Sequence, residues 1–191
     1  MTVLELADVD AYYGNSHVLF DLSMAIEENE VITLLGRNGA GKTTTLRAIT
    51  GTVPRREGHI SFRGEDIAGL SVEAISKRGI KLVPEGRRVF PTLTVMENVR
   101  IAHDLATDPR AVEEAFELFP VLDDLREVLG DVVERDVTVV MTEQNVEFAL
   151  DLGERAYIVD KGANVWDGPV DALRDRDDLL DEYLSVSADE A

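Results

Sequence analysis

Eight consecutive residues carry the clearest chemistry in this chain: Gly36, Arg37, Asn38, Gly39, Ala40, Gly41, Lys42 and Thr43. They fit the pattern G-x-x-x-x-G-K-S/T, in which each part acts on a chain of phosphates. The glycines let the backbone turn with its N–H groups aimed inward, where a side chain would block phosphate oxygens. Lys42 supplies a point charge for β- and γ-phosphates, and the Thr43 hydroxyl can ligate Mg²⁺. A helix opening through Thr44, Thr45 and Leu46 adds the positive end of its dipole. The other reading is a glycine-rich turn with no ligand. The strand–loop–helix context argues against it.

Such a loop needs a strand before it and a helix after it. The apolar run 31–35 reads as the buried strand. Upstream, residues 3–9 and 18–26 read as two strands, with Tyr12-Tyr13-Gly14 at the turn between them. Downstream, residues 51–58 read as a loop carrying Pro54 and Arg55-Arg56, residues 60–62 as a short strand, and 71–77 as a helix. Residues 79–83 read as another buried strand, stopped by Pro84. Residues 84–91 form a loop, Thr94 and Glu97 make a capping box, and helical spacing follows from Pro109. The β-branched run 137–141 reads as a strand before a helix through Phe148 and Leu152. Residues 156–159 and 163–166 flank an Asp160-Lys161-Gly162 turn and predict a hairpin. Residues 185–191 form an acidic tail. One domain over 1–191 accounts for this pattern, with a helical insert at about 92–134 as its one subdomain.

Composition narrows the class. The chain has 191 residues, 45% of them hydrophobic, enough for one α/β domain with a sizeable core. Its 38 acidic and 19 basic residues give a net charge of −19, which argues against a nucleic-acid surface. Only four of the basic residues are Lys. An acidic, lysine-poor surface suits a protein that works in concentrated salt. No Cys is present, which excludes disulfides, thiol catalysis and Cys-ligated zinc. No signal peptide is evident and no apolar run approaches about 18 residues, so the chain is expected to stay inside the cell. Membrane attachment would then come through a partner.

The order of these features resembles the ATP-binding subunit of an ABC transporter: an aromatic before Gly14, the phosphate loop, a strand ending in the Glu85 loop, then TVMENV at 94–99. Residues 83–99 (VPEGRRVFPTLTVMENV) and 142–145 (TEQN) look most like subunits of branched-chain amino-acid importers. Importers of urea or short amides share much of the pattern. The resemblance implies an α/β P-loop NTPase fold with a parallel core sheet, an N-terminal antiparallel β part and a truncated helical insert. It implies ATP and Mg²⁺ as ligands, with residues 36–44 on the phosphates, Thr43 on the metal and Tyr13 stacked on adenine. Glu85 stands at the Mg²⁺-sensing loop, where most of the superfamily has Gln. Gln144 stands where many members have the switch His. The implied partners are permease subunits and a second ATP-binding subunit in a head-to-tail dimer, on the inner face of the cell membrane.

Two parts of the family pattern are missing. No LSGGQ-like stretch occurs, and no strand of four apolar residues ends in Asp-Glu. The first would bind the γ-phosphate held by the opposite subunit, and the second would hold Mg²⁺ and polarise the attacking water. Three stretches come near the second pattern: residues 157–160, 137–143 and 179–182. They match instead a hairpin turn, the switch region and the C-terminal helix. The match lapses after about Leu129 and resumes near 132–136. The skipped strand would lie between the strand at Leu82 and the strand at Val139. Its loss would expose apolar edges or force those two strands to pair. Three functions follow as expectations: a transport ATPase subunit, an ATP-binding regulatory module or remnant that hydrolyses slowly or not at all, and an unrelated phosphate-loop enzyme. The last is disfavoured because no N-K-x-D guanine motif is present.

Overall fold

The computed structural model describes residues 1–83, 137–142 and 146–184. The expected helical insert, with its capping box at Thr94 and Glu97, lies outside the described residues. Two four-stranded sheets organise the rest.

The first sheet is antiparallel, in the order β2-β1-β4-β5. It joins β1 (Thr2–Tyr13), β2 (Ser16–Glu27), β4 (Arg55–Phe62) and β5 (Glu65–Asp66). The alternation in β1 changes phase midway. Leu4 and Leu6 are buried, then Val9 and Ala11. Asp8, at φ 50°, inserts an extra residue there, and pairing with both neighbours shifts at that point. A bulge of this kind returns apolar residues to the core after the phase would have turned them outward. β4 begins at Arg55, so the second half of the expected loop at 51–58 is strand. Pairing with β1 from Arg55 onward overrides the turn-rich composition there.

The second sheet runs β6-β3-β7-β8. β3 (Val31–Leu35) lies parallel to β6 (Val139–Thr142) on one side and to β7 (Arg155–Asp160) on the other. All five residues of β3 are buried, which is why the run shows no polar alternation. β8 (Ala163–Pro169) closes the expected hairpin against β7.

The side chains of β3 and β7 divide between two cores. Ile32, Leu34, Tyr157 and Val159 face the antiparallel sheet, where they join Leu6, Leu22, Ile26 and Ile60. Leu35 and Ile158 face the other way, onto α3 (Val146–Leu152) and α4 (Val170–Arg174), with Leu179 of α5 (Asp177–Tyr183). Two polar side chains inside this packing are partnered by backbone carbonyls. The Thr33 hydroxyl donates to Ala149 O at 3.3 Å, and the Tyr157 phenol donates to Ala25 O at 2.8 Å.

α2 (Val72–Lys77) forms as expected, capped by the Ser71 hydroxyl, which accepts from the Ala74 N–H. The stretch after it departs from expectation. Residues 79–83 form no strand, and Leu82 and Val83 are 38% and 90% exposed. A strand needs a neighbour to take its ladder of N–H and C=O groups. Among the described residues β6 is the free edge of its sheet and no strand lies between it and residues 79–83.

Candidate functional site

The phosphate loop leaves β3 at Leu35 and enters α1 (Lys42–Ile49) at Lys42. Its shape is set by close packing against the β7–β8 hairpin. Gly36 has φ 146°, and a Cβ there would lie 2.2 Å from Val159 O, so the loop starts hard against the end of β7. Further along, the Gly162 N–H donates to Ala40 O at 2.7 Å. Gly162 in turn accepts from the Phe20 N–H at 2.9 Å, and a Cβ on it would meet Val18 O at 1.9 Å. The hairpin turn thus sits between the loop and β2 and holds the one to the other. Gly162 was legible as a turn residue, but its hold on the loop was not, because that contact spans more than 120 residues of sequence.

Within the loop, the Ala40 N–H donates to Arg37 O at 3.1 Å, and the Thr45 N–H donates to Gly41 O at 2.8 Å. Gly41 is the N-cap of α1 and contributes no side-chain cap, so the first N–H groups of the helix keep their donor capacity for another acceptor. The Lys42 ammonium folds back over the loop, donating to Gly36 O at 2.6 Å and Arg37 O at 3.1 Å. Lys42 and Thr44 are largely buried, whereas Arg37, Asn38, Gly39 and Thr43 are exposed. The loop and the helix start therefore present the nine residues from Gly36 to Thr44 as one continuous stretch. Its donors are backbone N–H groups, one ammonium and an exposed hydroxyl at the helix start. That donor set fits a phosphate chain accompanied by a hard cation.

Tyr13 ends β1 and is half-buried against the core between the sheets. Its phenol oxygen accepts from Arg47 Nη1 at 3.2 Å, and Arg47 lies on α1. Tyr13 thus belongs to the neighbourhood of the phosphate-loop helix, although it comes from the other sheet. Glu85 and Gln144 lie outside the described residues. Two of the near-matches to an Asp-Glu strand are resolved: Asp160 ends β7 at the hairpin turn, and Asp181 and Glu182 lie on the helix α5. Among the described residues no cluster of three His, Asp or Glu side chains is set to hold a metal. Nor, among them, is any helix long and apolar enough to cross a membrane.

Comparison with known proteins agrees with this geometry. The family model described as "ABC transporter" matches residues 19–159. The chain is 29% identical to the high-affinity branched-chain amino acid transport ATP-binding protein BraG of Pseudomonas aeruginosa, covering 95% of this chain and 99% of BraG. It is 28% identical to the lipopolysaccharide export system ATP-binding protein LptB of Haemophilus influenzae, covering 96% and 98%. The BraG comparison runs over 232 positions, so at least 41 of them face no residue of this 191-residue chain. A solved ATP-binding subunit of an ABC transporter superposes with TM-score 0.76 at 22% identity, covering 99% of this chain and 97% of that one. The fold, the loop and the family match agree: the chain belongs to the ABC transporter family, as an ATP-binding subunit of the cassette fold.

Proposed function

We propose that this chain binds Mg·ATP on the loop from Gly36 to Thr44 and does not complete hydrolysis by itself. The observation that carries the binding half is the loop's construction. A helix start without a side-chain cap and the Lys42 ammonium over Gly36 O belong to one continuous stretch. Lys42 would meet the β- and γ-phosphates, Thr43 would take one Mg²⁺ position, and Tyr13 would stack on adenine. Bound Mg·ATP supplies the phosphate charge that this donor set is built to meet.

The hydrolysis half rests on the sequence. It has no LSGGQ-like stretch and no apolar strand ending in Asp-Glu. The 41 or more positions of the BraG comparison that face no residue of this chain support an internal loss. Glu85 and Gln144 keep their expected roles at the Mg²⁺-sensing loop and the switch. The transported class is proposed as branched-chain amino acids, on residues 83–99 and 142–145 and the likeness to BraG. The partners are permease subunits and a second ATP-binding subunit, placing the chain at the inner face of the membrane. A second reading, a regulatory module or remnant, is favoured by the same missing segment.

Phosphate release under single-turnover conditions separates the outcomes. The chain alone is expected to return bound ATP intact over an hour. Steady release that disappears in Lys42→Ala would overturn the hydrolysis half of the proposal.

A further inference from the structure

The nucleotide site proposed above draws on two sheets. Its phosphate half follows β3, whereas its base half, Tyr13, ends β1. One side chain spans them. Arg47 sits four residues after Thr43 on α1, on the same face of the helix and about 6 Å further along its axis. From there its guanidinium donates to the Tyr13 phenol oxygen at 3.2 Å. The origin of that side chain is held firmly, because the Arg47 carbonyl accepts from the Thr52 N–H at 2.9 Å and from the Val53 N–H at 3.3 Å. A hydrogen bond from a charged donor is stronger and more directional than one between neutral groups. The helix that presents phosphate donors at its start therefore also fixes the aromatic platform from its last turn.

We infer that Arg47 is a positioning residue for adenine: it holds the Tyr13 ring at a set distance from the phosphate loop, and so selects nucleotides over bare polyphosphates. This rests on the proposed ATP site. Arg47 reaches the base through Tyr13, so its removal should weaken ligands that carry a base more than those that do not.

The test compares ATP with inorganic tripolyphosphate, each with Mg²⁺, by calorimetric titration of the full chain. Arg47→Met keeps the apolar stem and removes the donor. It is expected to weaken ATP binding by about five-fold, a fraction of what a charged hydrogen bond can contribute, and to change tripolyphosphate affinity by less than about two-fold. Tyr13→Phe keeps the ring but removes the acceptor, and should lose as much ATP affinity. The double variant should lose no more than either single one. Arg47→Lys should recover part of the loss. Unchanged ATP affinity in Arg47→Met would overturn the inference. So would equal losses for ATP and tripolyphosphate, which would make Arg47 a phosphate or folding residue. A parent chain that binds tripolyphosphate but gains nothing from the base overturns the role of Tyr13 and Arg47 alone. A parent chain that binds neither ligand overturns the underlying site as well.

Discussion

A single methyl group at residue 36 would collide with the Val159 carbonyl oxygen at 2.2 Å, so the phosphate loop tolerates only glycine at its first position. Backbone atoms cannot yield as a side chain can. Gly36→Ala must therefore push the loop away from β7 or strain both. A loss of about 2 kcal/mol or more in unfolding free energy is expected, with ATP affinity lost alongside it. Thermal melts and a nucleotide titration of the variant check this, and a variant with parental stability and affinity would contradict it. The glycine pattern, Lys42 and Thr43 were legible because the chemistry of phosphate binding dictates residue types at fixed spacing. The hold of Gly162 on the loop, through its N–H to Ala40 O, was not. Nothing in a local turn signal states which distant carbonyl it will meet.

The two sheets are tied by a residue that links elements rather than chemistry. Tyr157 of β7 donates to Ala25 O at 2.8 Å and accepts from the Ala25 N–H at 3.1 Å, joining the parallel sheet to β2. Burial pushes its phenol above the usual tyrosine range, partly offset by the bond to Ala25 and by nearby Arg155. The folded chain therefore holds this proton more tightly than the unfolded chain does. The stabilisation is fully present below the unfolded value of about 10 and is lost as pH rises through the folded one. Tyr157→Phe is expected to cost about 1–3 kcal/mol at neutral pH. It should also show a smaller fall in melting temperature between about pH 9 and pH 11 than the parent chain. Equal alkaline slopes in the two proteins would count against this account.

Strand existence was well foreseen on both sides of that link. Alternation marked β1 and β2, an unbroken apolar run marked β3, and the Asp160-Lys161-Gly162 turn marked the β7–β8 hairpin. The failures were of context. β4 extends back to Arg55 because β1 offers it a partner, whereas residues 79–83 stay out of the sheet because nothing described offers them one. Apolar composition proposes a strand, and a neighbour with open backbone groups makes it.

At the scale of the whole molecule, charge dominates. A net charge of −19 on 191 residues pushes the compact state apart, and local pairs such as Arg155 with Asp167 do not offset it. Salt shortens the reach of that repulsion, from about 10 Å at 0.1 M to about 3 Å at 1 M. The melting temperature is therefore expected to rise over this range of KCl. A flat or falling trend would remove self-repulsion as a determinant of stability.

The central claim is that residues 36–44 form a working nucleotide site. The direct measurement is a calorimetric titration of Mg·ATP into the chain at high salt, alongside Lys42→Ala. The account predicts one ATP bound per chain, with affinity lost or strongly reduced in the variant, because the phosphates lose their ammonium. Equal affinity in the two proteins, or no binding by the parent, would contradict it.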